Sequence, residues 1–140
     1  MTVREARPGD EDAIFALVQQ LGHALTPDRA AFDTTIASYL AGEQPTVLLH
    51  VVDDGEGVRG YALTTIVPLL STNGPAAQLQ EIVVAEDARG HDYGTVLVHA
   101  VEAECERRGV RQLTVASRRA GGFYDRLGFH ESAEYMRRFF

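Results

Sequence analysis

Leu79-Gln80-Glu81-Ile82-Val83-Val84-Ala85-Glu86-Asp87-Ala88-Arg89-Gly90-His91-Asp92-Tyr93-Gly94-Thr95-Val96-Leu97 reads as a strand, a tight turn and the start of a helix. The β-branched run at 82–84 predicts a strand over 78–84. Past the turn, Val96, Leu97, Ala100, Val101 and Cys105 mark the inward face of a helix from about Tyr93 to Arg108. Gly109 stands where a helix ends in a left-handed residue. A strand feeding a helix N-terminus presents free backbone N–H groups and the positive end of the helix dipole, which together attract an anion. Gly90 and Gly94 allow close approach of the backbone. Their spacing does not make the G-x-G-x-x-G of a dinucleotide fold.

Upstream, residues 3–7 predict a first strand that Pro8-Gly9 breaks. Asp10 is placed to cap a helix whose apolar positions are Ile14, Leu17, Val18 and Leu21. Thr26-Pro27 predicts the start of a second helix, with Phe32, Ile36, Tyr39 and Leu40 as its stripe. Strands are expected over 46–52 and 58–67, around the hairpin loop Asp53-Asp54-Gly55-Glu56-Gly57. Residues 68–75 read as a second connection. Downstream, a strand over 112–117, a short helix over 120–127 and a last strand over 135–140 complete the order β-α-α-β-β-β-α-β-α-β. The class is α+β: a mixed, mostly antiparallel sheet with helices on both faces, in one domain spanning 1–140.

The composition excludes several chemistries. The 140 residues carry 13 basic and 20 acidic side chains, a net charge of −7, and every basic one is Arg. Without Lys there is no Walker phosphate loop, no Schiff base and no lysine nucleophile. One cysteine, Cys105, permits no internal disulfide and suits a reducing, cytoplasmic setting. Its place on the apolar helix face near carboxylates makes it a poor nucleophile. The five histidines show no metal-ligand spacing, so no metal is expected. An acidic chain without a long apolar run predicts neither a nucleic-acid nor a membrane partner, and the N-terminus lacks a signal peptide's apolar stretch. Residues 1–60 hold 4 Arg and 10 acids, which favours a cationic ligand on that half.

A second segment, Ala120-Gly121-Gly122-Phe123-Tyr124-Asp125-Arg126-Leu127-Gly128-Phe129, follows about 30 residues after the first. In this order the two resemble the motifs of the GNAT superfamily of acyl-CoA-dependent N-acyltransferases. The first is similar to its Q/R-x-x-G-x-G/A pyrophosphate motif, the second to its A-x-x-F-Y-x-x-L-G-F motif. The resemblance implies acetyl-CoA as co-substrate, in a cleft where the strand at 81–84 splays from the strand at 113–117. Its implied cofactor-binding set is Ile82, Val83, Val84, Arg89, Gly90, His91, Asp92, Tyr93, Gly94, Thr95, Ser117 and Tyr124. Ile82 and Val84 would pair with the pantetheine through their backbones, and an N–H near Val84 would face the thioester oxygen. The catalytic set is Tyr124, which would protonate the departing thiolate, Glu81, which would take a proton from the amine, and the Val84 backbone. A surface strand Glu and a packed helix Tyr are the ordinary alternatives for Glu81 and Tyr124.

The implied reaction is acetyl transfer from acetyl-CoA to a primary amine, with a small-molecule acceptor, in a homodimer. The apolar chain end Tyr135-Met136-Arg137-Arg138-Phe139-Phe140 supports the dimer as an edge strand in need of cover. Two alternatives stand beside it: a non-catalytic acyl-CoA-binding module, and an N-acetyltransferase of proteins or peptides. His23 and Tyr39 lie near the helices expected to cap the acceptor, and Arg118 and Arg119 near the CoA rim. Asp92 departs from the motif where the family has its first glycine. There it can cap the helix, and its charge opposes a diphosphate. Replacing it with Gly is expected to tighten acetyl-CoA binding and to lower stability through lost capping.

Overall fold

The computed structural model of the protein describes residues 1–22, 25–117 and 122–140. Along the chain come β1 (Thr2–Glu5), α1 (Glu11–Gln20), α2 (Arg29–Leu40), β2 (Val47–Asp53), β3 (Val58–Leu69), β4 (Gly74–Val84), α3 (Tyr93–Arg107), β5 (Gln112–Val115) and α4 (Phe123–Arg126). A 3-10 turn at Glu86–Ala88 joins β4 to α3. The five strands form one sheet in sequence order. β1 to β4 pair antiparallel, and β4 pairs parallel with β5 across the α3 crossover.

Alternation along the strands divides the core in two. On one face Val52, Ala62, Ala77 and Leu79 pack against Leu97, Val98, Val101 and Cys105 of α3. On the other, Val51, Tyr61 and Val83 pack against Ile14 and Leu17 of α1 and Ile36 of α2. The sheet therefore has helices on both faces and is mostly antiparallel, as the pattern of apolar residues predicts.

Several local expectations change. Asp10 occupies the cap position of α1, but its side chain makes no cap bond. Its carboxylate accepts instead from Arg4 at 2.8 and 3.1 Å and from the Arg7 N–H at 2.9 Å. The Arg4 guanidinium, more than any other neighbour, holds this buried carboxyl below the usual range. α2 starts at Arg29 rather than at Thr26-Pro27, because extended Asp28 accepts from the Ala31 N–H at 2.9 Å.

The long connection expected over 68–75 is a hairpin in which Pro68 faces Pro75. The Ile66 N–H bonds the Thr46 carbonyl on the β2 side, so Ile66 and, two residues on, Pro68 lie at non-hydrogen-bonded positions toward β4. Neither proline then deprives that ladder of a donor.

The last strand expected over 135–140 is absent; residues 129–140 form no strand or helix. An apolar run becomes a strand only where an edge accepts its backbone groups. Here Tyr135, Met136, Phe139 and Phe140 are exposed, and Arg137 covers the Phe139 ring.

Candidate active site

β4 changes character halfway along. From Ala76 to Leu79 it lies between β3 and β5, and the last pair with β5 is Leu79 with Val115. Leu63 faces Glu81 but Thr64 faces Leu79, so Gln80 is an extra residue on β4 and forms a bulge. The bulge flips side-chain parity. Ala77 and Leu79 point to the α3 core, whereas Val83 points to the α1/α2 core and Ile82 and Val84 to α3. Glu81, in phase with Val83, therefore faces the α1/α2 side.

Beyond the bulge the strand has β3 on one side and no described strand on the other. The Ala85 N–H bonds the Arg59 carbonyl at 2.8 Å. Antiparallel alternation then turns the N–H and C=O of Val84 and Ile82 away from β3, toward the open side. There the Val84 carbonyl accepts a long bond, 3.4 Å, from Arg89 Nε.

This open edge is one wall of a cleft of about 890 Å3. Ile82, Val83, Val84, Arg89, Gly90, Asp92, Tyr93, Gly94, Thr95, Ser117, Tyr124 and Glu81 all border it. Among the residues assigned from sequence, His91 alone does not; it is exposed, and its ring lies 5.8 Å from that of Tyr93. A larger depression of about 1620 Å3 runs along the outer edge of β5. It shares Val115, Ala116, Ser117, Tyr124, Leu127 and Tyr135 with the cleft but includes neither the open half of β4 nor the 89–95 loop.

At one end of the cleft stands the N-terminus of α3. The first bond into the helix is from the Val96 N–H to the Asp92 carbonyl, so the N–H groups of Tyr93, Gly94 and Thr95 have no partner within the helix. The turn that delivers them needs left-handed backbone at Gly90 (φ 87°) and at Asp92 (φ 61°). Asp92 makes no cap bond. It holds a conformation that glycine adopts at lower cost, and it is exposed, without the capping role expected of it. A Cβ on Gly94 would sit 3.4 Å from the Phe123 ring, so the small residue lets α4 pack close to this first turn.

Tyr124 crosses the cleft from α4. It is half-buried, with its ring against Phe123 and Phe129 at 5.0 and 5.7 Å between centroids. Burial pushes its phenol above the ordinary range, so the hydroxyl keeps its proton at neutral pH. Glu81 accepts from the Tyr61 hydroxyl at 2.7 Å. Tyr61, 1% exposed, is a residue that sequence reasoning missed. Its one signal was a tyrosine within the apolar run Tyr61-Ala62-Leu63, since a buried phenol needs a partner. Burial and then the Glu81 charge hold both the Tyr61 and the Tyr39 phenols above the ordinary range. Gln20, at the end of α1, also borders the cleft and accepts from the Glu86 N–H at 3.1 Å.

His23, Arg118 and Arg119 lie outside the described residues. Cys105 is buried on the sheet-facing side of α3; burial first, then Glu104, pushes its thiol up, which disfavours a nucleophilic thiolate. Among the described residues no three His, Cys, Asp or Glu are grouped as a metal ion needs, and no helix is long and apolar enough to cross a membrane.

The model of the Acetyltransferase (GNAT) family matches residues 15–129. The chain belongs to the GNAT acetyltransferase family. Solved structures resemble this GNAT chain over nearly its whole length. A transcriptional regulator from Bacillus halodurans C-125 superposes with a TM-score of 0.86 at 23% identity, over 99% of both chains. Glucosamine-6-phosphate N-acetyltransferase from Arabidopsis thaliana has a TM-score of 0.86 at 17% identity, over 99% of this chain and 97% of that one. Ribosomal-protein-alanine N-acetyltransferase from Brucella melitensis biovar Abortus 2308 has a TM-score of 0.76 at 17% identity, over 99% and 100%. At these identities the likeness is one of fold. A search of curated proteins finds no match.

Proposed function

We propose that this GNAT domain, spanning 1–140, transfers the acetyl group of acetyl-CoA directly to a primary amine of a small molecule in a reducing cytoplasm. The observation that carries this reading is the half-open strand. The main chain of Ile82 and Val84 faces a cleft that has free helix N–H groups at one end and a protonated phenol across it.

In this reading the α3 N-terminus, with Arg89, Gly90 and the 92–95 backbone, binds the pyrophosphate. The pantetheine pairs with Ile82 and Val84 as an added strand, and Val83 and Ser117 border it. The Val84 N–H donates to the thioester oxygen as it gains charge. The amine nitrogen bonds to the carbonyl carbon, the C–S bond breaks, and the thiolate takes a proton from Tyr124. The acceptor ammonium gives up two protons. One leaves through Glu81 to solvent, and the other replaces the proton lost by Tyr124. Glu81 suits this role because it stands on the α1/α2 side of β4, opposite in phase to Ile82 and Val84.

The excess of acids over residues 1–60 favours a cationic amine. The chain acts as a homodimer in this reading. Its support is the outer edge of β5, beside which no described strand lies, together with the exposed Tyr135, Met136, Phe139 and Phe140. The deciding experiment is free-thiol release from acetyl-CoA across a panel of small amines, aminoglycosides, polyamines and peptides. Turnover on small amines sustains the reading. Turnover on peptides alone makes it a protein acetyltransferase, and binding without turnover leaves an acyl-CoA-binding module.

A further inference from the structure

We infer that Tyr61 is a positioning residue that clamps one oxygen of Glu81, fixing the carboxylate's rotamer and leaving its other oxygen to meet the acceptor amine. The inference rests on the acetyl-transfer reading above, and it adds a residue that no motif of that reading contains.

Three observations carry it. The first is packing. Tyr61 is 1% exposed, and its ring belongs to the cluster of Ile14, Leu17, Ile36, Val51 and Val83, so four elements besides its own hold it. A ring fixed this way aims its hydroxyl in one direction. The second is register. Tyr61 pairs with Val83, which places Glu81 diagonally across the ladder on the same face, within reach of a long aromatic side chain. The bulge at Gln80 makes this possible, since it turns Leu79 to the α3 core and leaves Glu81 beside Tyr61.

The third is the bond itself. The Tyr61 hydroxyl donates to Glu81 Oε1 at 2.7 Å. Among the described residues no other donor reaches this carboxylate. Without a clamp, a strand glutamate bordering a cleft samples several side-chain rotamers and meets the amine in only some of them. The charged and titratable groups around it are few. Tyr39 of α2 and Tyr61 of β3 both feel the Glu81 charge. α1 and the residue that caps its end contribute the uncharged Leu17, Gln20 and Leu21 to this side. Leu63 is its partner on β3.

A tyrosine that merely fills the core predicts something different. Removing its hydroxyl would then cost stability and leave the Glu81 rotamer and the catalytic step alone. The test uses the full chain as Tyr61→Phe, which keeps the ring. Three-bond couplings across the Glu81 side chain, read in labelled protein, should show one rotamer in wild type and averaged values in Tyr61→Phe. On the amine that the thiol-release panel identifies, kcat should fall about tenfold, with KM for acetyl-CoA within about twofold. In a Glu81→Gln background the same substitution should leave kcat unchanged. Glu81→Asp, which withdraws the carboxylate by one methylene without touching Tyr61, should reproduce both the averaging and the loss, so the question does not depend on how Tyr61→Phe folds.

A single Glu81 rotamer retained in Tyr61→Phe, or a single side-chain rotamer at position 81 in Glu81→Asp, overturns the inference whatever the turnover. So does an equal loss of kcat with and without the Glu81 carboxylate. If the panel yields no turnover on any amine, the acetyl-transfer reading fails, and the couplings alone decide whether Tyr61 clamps Glu81.

Discussion

The two halves of β4 share one strand and one chemistry, yet they do different work. In the paired half, 76–79, the backbone bonds two neighbours, and Ala77 and Leu79 are almost wholly buried against α3. In the open half, 80–84, the backbone bonds β3 alone, and the edge turned the other way borders the cleft. The difference shows how a sheet exposes main-chain groups to a cleft without special side chains. One bulged residue and one strand that stops at Val115 leave those groups without a strand partner. In the proposed function, ligand binding depends on backbone direction in one half and stability on buried volume in the other.

The largest expected effect separates chemistry from binding on the open half. Tyr124→Phe keeps the ring against Phe123 and Phe129 and removes only the proton donor. Turnover should fall by about 10²–10⁴-fold, with acetyl-CoA affinity by calorimetry unchanged. Wild-type turnover would remove Tyr124 from the mechanism.

The paired half should respond in stability instead. Leu79→Ala leaves a cavity in the α3 core and should cost about 2–5 kcal/mol in urea unfolding. A cost below about 1 kcal/mol would mean that this half is no more a core element than the open one.

Proline probes the backbone itself. Ile82→Pro removes an N–H aimed at the cleft, so the domain should fold and bind acetyl-CoA roughly tenfold more weakly. Val83→Pro removes an N–H aimed at β3 and should prevent folding or cost about 3 kcal/mol or more. Equal behaviour of the two variants in circular dichroism and calorimetry would break the comparison.

At the end of the open half, Asp92→Gly should tighten acetyl-CoA binding about three- to tenfold by removing a screened like charge. Stability should rise by about 0.5–1 kcal/mol, because a left-handed residue is relieved and no cap bond is lost. This reverses the loss of stability expected from sequence. Weaker binding would mean that the Asp92 side chain assists the ligand.

The smallest effect lies far from the cleft. His50 is buried, and its Nδ1 has no partner among the described residues. Burial, against the pull of Glu5 and Glu104, lowers it from 6.5, so the stability that it supports is complete above that value and lost as pH falls through the lowered one. His50→Leu should therefore lose less Tm than wild type between about pH 7 and pH 5. Parallel curves would place the acid sensitivity elsewhere.

The element order through α4 was legible because periodicity and glycine placement are local signals. Leu97, Val101 and Cys105 are buried where a period of 3.6 puts them. Cap chemistry was less legible. Asp10 had Arg4, six residues back on β1, as a stronger partner. The run at 135–140 misled because apolar content does not say whether a run pairs with an edge; it stays exposed although no described strand lies beside the outer edge of β5. In the candidate site, the short motifs pointed to the 89–95 loop and Tyr124, which border one cleft, His91 excepted. The left-handed Asp92 was not, because its φ follows from the turn that joins two packed elements.

By itself the sequence determined which residues are apolar, where most turns fall, and that every basic side chain is an Arg. Those are properties of neighbours along the chain. Only the tertiary structure decided that Gln80 bulges, that Glu81 thereby turns to the α1/α2 side, that Tyr61 meets it, and that the edge of β4 beyond Leu79 stays open. Each of these depends on the register between strands. Register is set by the packing of both faces of the sheet at once, and a shift of one residue reverses every side chain beyond it.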